Sequence, residues 1–573
     1  MNIELVYQNW LNNESLEAGL KARLMEMNDK EKEDAFYKSL EFGTAGMRGL
    51  IGPGTNRMNI YTVRKANVGF ANYLIENVPN AKARGVAIAY DNRHFSPEFA
   101  LESGKVLATF GIKAYLFDAV RPTPELSFAV RRLNAAGGIV ITASHNPPEY
   151  NGYKIYDASG CQLLPAAGDK VIAGVNAVHD LFDVQVKSES ELRDAGLIET
   201  IGSEIDEAYL TRCAGLEINA DVNKRGLQMV FSPLHGTAGK LTSKLLTRCG
   251  YTGVHLVEEQ AEPNPDFPTV KNPNPEEAAA FEYAIKKGHE VNADILLATD
   301  PDADRMGVAV KDISGEYVRL TGNQTGAVMV HYILSQRKAK GTLPKKGRVF
   351  DTIVSSELAA KIARSYGMET VSTLTGFKFI GEQARLMEGT EYEYVYGYEE
   401  SYGSLVGDFV RDKDAVQAIL ILAEAAAYYK DQGKTLCDVL TDLYEEFGFY
   451  QEDLANISLV GKAGAKKIQM ILADFRKTPP KSVAGLKVVT ILDYETSKCT
   501  HVGAGSVSDI DLPTANVLKY LLEDGSWFVL RPSGTEPKAK IYISVVTDNK
   551  EATATRVSKI KEAVLARVDE ILE

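Results

Sequence analysis

The sequence predicts an α/β protein of about four domains, and three observations carry that prediction. The chain has 573 residues, and at about 150 residues per domain that length corresponds to roughly four domains. Short β-branched apolar runs alternate with longer stretches of helical spacing, which is the rhythm of parallel βαβ units. The rhythm restarts twice and then gives way to a last segment in which strands precede one long helix, the pattern of a smaller α+β unit. Hydrophobic residues at 45% and charged residues at 25% match a globular chain and exclude a disordered, collagen-like or small stapled one.

In chain order, 85–91 reads as a strand from its apolar core and terminal turn. Residues 96–111 follow with helical spacing, Pro97 at a first-turn position and Gly111 beyond the end. Strands are expected at 113–118 and 135–144. The rhythm resumes with a strand at 227–236, a helix at 239–250 and strands at 254–259 and 293–300. It resumes again with a strand at 348–356, a helix at 357–367 and strands at 368–374 and 393–401. In the final segment 487–492, 527–531 and 540–546 read as strands, and the chain from 550 onward as a long helix. Boundaries near 204, 312–322 and 434–452 give domains 1–203, 204–315, 316–445 and 446–573. A Gly-Thr-Ala-Gly string occurs at 43–46 and again at 236–239; with the repeated rhythm it suggests internal duplication of an α/β core.

Charge and cysteine usage narrow the function. The 64 Lys and Arg against 77 Asp and Glu leave a net charge of −13, a poor basis for binding nucleic acid, whose affinity comes from neutralising phosphates. The five cysteines are far apart with no C-x-x-C pair, which argues against a disulfide framework or structural zinc and for a reducing compartment. The N-terminus shows no basic region followed by an apolar core. No stretch approaches the ~18 apolar residues of a spanning helix. The expectation is a cytoplasmic protein without membrane or nucleic-acid partners.

Five segments carry chemistry. Thr142-Ala-Ser-His-Asn-Pro-Pro-Glu-Tyr-Asn-Gly-Tyr-Lys154 follows an apolar strand, and open α/β sheets bind ligands at the carboxyl ends of strands. It offers the Ser144 hydroxyl with two nearby proton carriers, His145 and Lys154; the alternative is an ordinary polar turn. Asp300, Asp302 and Asp304 alternate along a turn after another apolar strand and supply hard oxygens for Mg²⁺. An EF-hand is rejected because Arg305 stands where glycine is needed and Lys311 where glutamate is needed. Gly397-Tyr-Glu399-Glu400-Ser401-Tyr-Gly403 places paired carboxylates on a glycine-bounded loop suited to sugar hydroxyls, or is a surface turn. Arg531-Pro-Ser533-Gly534-Thr535-Glu-Pro-Lys538 reads as an anion cradle, or a tight turn, and lacks P-loop spacing. Gly43-Thr-Ala-Gly-Met-Arg48-Gly49 has no strand leading into it and is no dinucleotide fingerprint; Arg48 there could reach a phosphoryl group.

These five strings, in this order, resemble the α-D-phosphohexomutase superfamily across nearly the whole chain, in wording most like its bacterial phosphoglucomutase branch, which is also related to phosphopentomutases. The resemblance implies four domains around a deep central cleft, the first three sharing an α/β core, and an isomerase that interconverts glucose 1-phosphate and glucose 6-phosphate. It implies that Ser144 is phosphorylated and that Asp300, Asp302 and Asp304 hold one Mg²⁺ per chain together with that phosphate, with Arg305 nearby. It implies that Glu399, Glu400 and Ser401 read sugar hydroxyls. Arg531, Ser533, Gly534, Thr535 and Lys538 would hold the distal phosphate, and Arg48 and Lys154 would assist phosphoryl and proton transfer. Glucose 1,6-bisphosphate is the implied activator, a sugar phosphate the small-molecule partner, and a monomer or homodimer the assembly. A tyrosine stands after the first glycine of the sugar loop, where the commoner wording is Gly-Glu-Glu-Ser. The hexose is therefore open; phosphopentomutase, phosphomannomutase and hexose-bisphosphate synthase are the runners-up.

The chemistry is coherent. Three aspartates beside a phosphoserine carry about −4.5 to −5, so a cation is required, and phosphoryl transfer gains mostly from such positioning and charge stabilisation. Lys154 is the favoured base if its pKa falls well below the ordinary ~10.4, with His145 the alternative. Lys378, Arg411 and Lys413, with Arg305, are candidates to line an anion-attracting cleft, or are solvated surface charge.

Overall fold

Val86–Tyr90 (β2) and Gly137–Ile141 (β4) bury every residue, the continuous apolar pattern of strands covered on both faces. They belong to a six-stranded sheet with Gly46–Leu50 (β1), Ala114–Phe117 (β3), Tyr150–Tyr156 (β5) and Ile198–Ile201 (β6), in the order β1-β5-β4-β2-β3-β6. Strands β4, β2, β3 and β6 run parallel, and β5 alone runs against them, antiparallel to both β4 and β1. The computed structural model describes residues 2–43, 46–459, 461–532 and 538–573. The chain divides into two units, one of residues up to Arg348 with Gly376–Leu436, the other of Val349–Thr375 with Cys437–Glu573.

The first unit holds a second sheet of the same plan. Met229–Ser232 (β7), Val254–Leu256 (β8), Ile295–Thr299 (β9), Met306–Lys311 (β10) and Tyr317–Leu320 (β11) lie in the order β11-β10-β9-β7-β8. Strands β9, β7 and β8 are parallel, and β10 runs against them, antiparallel to both β9 and β11. In each sheet a buried parallel strand turns back into an antiparallel neighbour, β4 into β5 and β9 into β10. Glu393–Tyr398 (β12) likewise turns back into an antiparallel neighbour, Ser404–Leu405 (β13). The three turns are residues 142–149, 300–305 and 399–403, so three of the five chemical segments occupy one topological position. The Gly-Thr-Ala-Gly echo does not: Gly46 opens strand β1, whereas Ala238 opens the helix Ala238–Arg248.

The strands expected in this unit are present, each a few residues shorter than read. The reading missed the long helices Ile60–Asn77, Gly322–Ala339 and Ala415–Lys430, the strands β5, β10 and β11, and three N-terminal helices, Ile3–Leu11, Ala18–Glu26 and Asp29–Phe36. The last three make a small core of Tyr7, Trp10, Leu24 and Phe36 against Tyr61.

The second unit is dominated by an antiparallel sheet. Its strands in spatial order are Phe449–Ser458, Lys538–Thr547, Trp527–Pro532, Leu518–Leu522, Leu486–Asp493, Lys498–His501 and Ser506–Asp509, with Ser482–Val483 beside Leu486–Asp493. Helices Gly461–Lys477 and Lys550–Leu572 pack on it through Ile471, Leu472, Phe475, Val557, Ile560 and Val564. This is the expected α+β unit, with more strands than its sequence suggested. Among the described residues no helix is long and apolar enough to cross a membrane.

Candidate active site

The turn after β4 is held in an uncommon shape. Ser144 has φ +52°, a left-handed conformation that costs a side-chain-bearing residue about 1–3 kcal/mol unless its surroundings impose it. Its N–H donates to the Thr142 hydroxyl at 2.8 Å. Gly152, on the returning strand, has no room for a side chain, since a Cβ would meet the Thr142 carbonyl oxygen at 2.4 Å. The Ser144 side chain is buried. Its hydroxyl donates to Asp300 Oδ2 at 2.7 Å and lies 3.2 Å from His145 Nδ1. The 144 turn and the 300 turn, 156 residues apart, meet at that bond.

The 300 turn closes on itself. Asp300 Oδ1 accepts the N–H groups of Asp304 at 3.1 Å and Arg305 at 3.0 Å, and Ala303 is left-handed at φ +56°. Behind it, the Pro301 carbonyl accepts both the N–H and the hydroxyl of Thr237 at 2.8 Å. A Cβ on Gly236 would strike Pro301 Cα at 2.4 Å. The second Gly-Thr-Ala-Gly string is thus a support for this turn.

All three aspartates are buried, and their oxygens lie within 4.8 Å of one another. Lys154 Nζ donates to Asp302 Oδ2 at 2.9 Å and lies 3.5 Å from Asp304 Oδ2, while Lys413 Nζ is 2.9 Å from the same Asp304 oxygen. Arg305 Nε lies 3.9 Å from Asp304, and the Arg305 guanidinium also pairs with Glu276. Oδ1 of Asp302 and of Asp304 is buried without a hydrogen-bond donor. Buried acceptors left open are costly, and a hard cation with oxygen preference fits them. The residues present therefore fit a divalent metal.

The electrostatics follow from this crowding. Burial, then the neighbouring Asp304 and Asp302 carboxylates, push the Asp300 carboxyl well above its ordinary range. Burial acts on Asp302 in the same sense, but Lys154, the hydrogen bond from Asp300 and Lys413 together outweigh it and hold Asp302 well below. Burial alone would lower the Lys154 amine; Asp302 and Asp304 prevail and raise it. The lowered pKa expected of Lys154 as a base is thus not what these neighbours produce, because the amine is ion-paired to two carboxylates. Burial, with Arg305 and Arg48 nearby, pushes His145 down to about 2, so its imidazole is neutral.

The 399–403 loop is tied to the 300–305 turn by backbone. The Met306 N–H donates to the Tyr402 carbonyl at 3.0 Å, and Arg305 bridges Gly403. Glu399 is buried and accepts the Gly376 N–H at 3.0 Å; burial raises its pKa against the pull of Lys413 and Arg305. Glu400 and Ser401 are half-buried. The inserted Tyr398 exposes 1% of its surface and packs on Gly326, where a Cβ would meet its ring at 2.6 Å. It is a core residue, so the departure in wording lies behind the loop.

The other candidates divide. Arg48 donates to the Asn146 side chain at 2.6 Å, placing it at the Ser144 turn. Lys378 is half-buried on the helix Phe377–Leu386, and burial lowers its pKa. Arg411 is not brought to the cluster: it is 1% exposed, and its guanidinium pairs with Glu388 and lies 3.6 Å from Asp408. Its Nε and Nη1 are buried without a hydrogen-bond partner. In the second unit Arg531 and Lys538 lie on two paired strands, and Arg531 Nη1 lies 3.4 Å from the Tyr542 hydroxyl. Ser533, Gly534 and Thr535 lie outside the described residues.

Sequence reasoning missed Thr123 and Arg93. Thr123 donates its hydroxyl to Asp302 Oδ2 and its N–H to the Asp302 carbonyl, both at 2.9 Å. Its signal was the Arg-Pro-Thr-Pro string opening the helix Thr123–Arg132. Arg93 follows the end of β2, at the carboxyl end where ligand sites gather.

Fold and site together define an α/β protein with a serine hydroxyl bonded into a buried carboxylate triad. The chain belongs to the phosphoglucomutase/phosphomannomutase family. Residues 39–180, 207–315 and 321–447 match its alpha/beta/alpha domains I, II and III, and 468–560 its C-terminal domain. A phosphoglucomutase of Staphylococcus epidermidis is 39% identical over 92% of this chain and 95% of its own. One of Staphylococcus aureus is 38% identical over 93% of this chain and 94% of its own. The fold is shared with parafusin, a phosphoglucomutase of Paramecium, in its open form, with TM-score 0.65 at 18% identity over 93% of this chain and 96% of that one.

Proposed function

We propose that the chain interconverts glucose 1-phosphate and glucose 6-phosphate through a phosphorylated Ser144 and a bisphosphorylated sugar. The observation that carries this is the 2.7 Å bond between the Ser144 hydroxyl and Asp300, within a triad that still has open acceptors. The 38–39% identity to phosphoglucomutases over more than nine-tenths of the chain supports the substrate.

Asp300, Asp302 and Asp304, with a phosphoryl oxygen on Ser144, would hold Mg²⁺, which supplies charge neutralisation and polarisation at phosphorus when bound. The sugar hydroxyl attacks the phosphoryl group carried by Ser144; the new O–P bond forms as the P–Oγ bond breaks, and the hydroxyl proton leaves to a nearby base. His145, neutral and 3.2 Å from Oγ, and Lys154 are the proton carriers beside the serine. Lys154, Lys413 and Arg305 balance negative charge around the triad, and Arg48 sits where it can meet the phosphoryl oxygens. Glu399, Glu400 and Ser401 read the sugar hydroxyls, and Arg531 with Lys538 holds the phosphate that is not transferred. The bisphosphate then turns end for end and returns its other phosphoryl group to Ser144; glucose 1,6-bisphosphate, as that intermediate, would activate the dephosphorylated enzyme.

Intact mass measurement tests this. The purified protein, incubated with glucose 1,6-bisphosphate, gains one phosphoryl group at Ser144 and loses it to glucose 1-phosphate. Ser144→Ala stays unmodified and loses about 10³-fold or more in turnover, as removal of a covalent nucleophile does. Near-normal turnover of Ser144→Ala overturns the mechanism. Turnover of ribose 1-phosphate but not glucose 1-phosphate overturns the substrate.

A further inference from the structure

The residues that follow Ser144 form neither helix nor strand. Residues 144–149 contain two prolines and a left-handed serine, so no regular ladder fixes their carbonyls. The Tyr150 N–H donates to the Pro147 carbonyl at 3.1 Å and the Ile51 N–H to that of Glu149 at 2.9 Å, and one side chain ties the segment together. Arg93 Nη2 donates to the Ser144 carbonyl at 2.6 Å and to that of Asn146; Nη1 donates to the carbonyls of Pro147 at 2.7 Å and Tyr150 at 3.0 Å. The Arg93 side chain exposes none of its surface, and its guanidinium lies over the Phe267 ring at 5.1 Å.

The charge is compensated from the strand behind. Asp91, also fully buried, lies 3.3 Å from Arg93 Nε. Its other oxygen accepts the Arg93 N–H at 2.9 Å and the Ser96 hydroxyl at 2.7 Å. The rigid end of β2 thus reaches the Ser144 turn through one planar fork. Lysine cannot replace it, because three donors on a single nitrogen do not span carbonyls from residue 144 to residue 150.

We propose that Arg93 is a positioning residue, whose guanidinium clamps the backbone of residues 144–150 and so holds the Ser144 hydroxyl against Asp300. The inference rests on the proposed phosphoserine chemistry for its consequence in turnover, but not for the clamp itself. Being wholly buried, Arg93 touches no substrate. Its loss therefore acts on the placement of the reacting oxygen, and a displacement of about 1 Å at such a site costs on the order of 10²-fold in rate.

The test uses the full chain and two readouts. Arg93→Lys keeps the charge and loses the fork. It lowers kcat about 10²-fold, leaves KM for glucose 1-phosphate within about threefold, and speeds hydrogen exchange of the amides in 144–152 about tenfold or more while the β2, β3 and β4 amides keep their protection. Added methylguanidinium restores part of the turnover of Arg93→Ala, which a general packing defect would not allow. Wild-type kcat and exchange in Arg93→Lys overturn the proposal, as does loss of protection spread over the whole sheet, or a raised KM with kcat intact. If wild-type protein neither takes up phosphate nor turns over glucose phosphates, the functional reading fails, and the exchange measurement still decides the clamp.

Discussion

Replacing Thr123 by valine exchanges one hydroxyl for one methyl at a fully buried position. The hydroxyl donates to Asp302 Oδ2 at 2.9 Å. The Thr123 N–H bond to the Asp302 carbonyl is untouched, so the start of the Thr123–Arg132 helix stays in place. After the change, Lys154 is the remaining side-chain donor to Asp302 among the described residues, and Asp302 Oδ1 already has none. A hydrogen bond to a charged group contributes about 1.5–3 kcal/mol, which corresponds to roughly 10- to 150-fold in a binding constant. Loss of a bond that orients a metal ligand typically costs about 10- to 100-fold in affinity or activity, so the two routes agree. Thr123→Val is expected to weaken Mg²⁺ binding by about that range, read by calorimetric titration of the dephosphorylated protein and by the Mg²⁺ dependence of turnover. Thr123→Ser, which keeps the hydroxyl, stays near wild type. A change of less than twofold in Thr123→Val would refute the argument that this hydroxyl orients the triad.

Asp351, in the second unit, is buried, accepts the Ser372 hydroxyl at 2.6 Å, and is raised by burial to about 7. The folded state therefore binds a proton that the unfolded state releases above its ordinary value of 3.8; the stabilisation is complete below that value and is lost as pH rises to about 7. Denaturant unfolding of the second unit should show about 2 kcal/mol of this loss between pH 5 and pH 7, and Asp351→Asn should abolish the slope; an equal slope in the variant removes Asp351 as its source. Gly381→Ala places a Cβ 2.3 Å from the Arg411 carbonyl oxygen and 2.9 Å from Cys161 Sγ. Overpacking of this kind costs about 1–3 kcal/mol, so Tm should fall. An unchanged Tm would mean that the helix Phe377–Leu386 is free to shift.

Much of the fold was legible because its signals are local. Val86–Tyr90, Gly137–Ile141 and Ile295–Thr299 are continuous apolar runs, and burial on both faces leaves no other reading of a short run bounded by turns. One of the helices that escaped notice is apolar over much of its circumference. Ala415–Lys430 buries nearly every residue, so no polar face marks its period. The antiparallel strands β5 and β10 follow turns so short that they read as parts of the motifs.

The site divides in the same way. Residue identity and spacing were enough to mark Ser144, Asp300, Asp302 and Asp304, because a hydroxyl at a strand end and alternating carboxylates are local patterns. That the Ser144 hydroxyl lies 2.7 Å from Asp300, that Lys413 joins Lys154 against Asp304 while Arg411, two residues away, turns to Glu388, and that Thr123 and Arg93 hold the two turns were settled only by tertiary structure. These contacts join segments tens to hundreds of residues apart, and nothing in the chain's local chemistry encodes which carbonyl or carboxylate a buried cation will reach. The sequence by itself marked the candidate groups and the strands that carry them. The folded chain decided their partners, since burial forces each charge to find whichever counter-charge the packing brings within bonding distance.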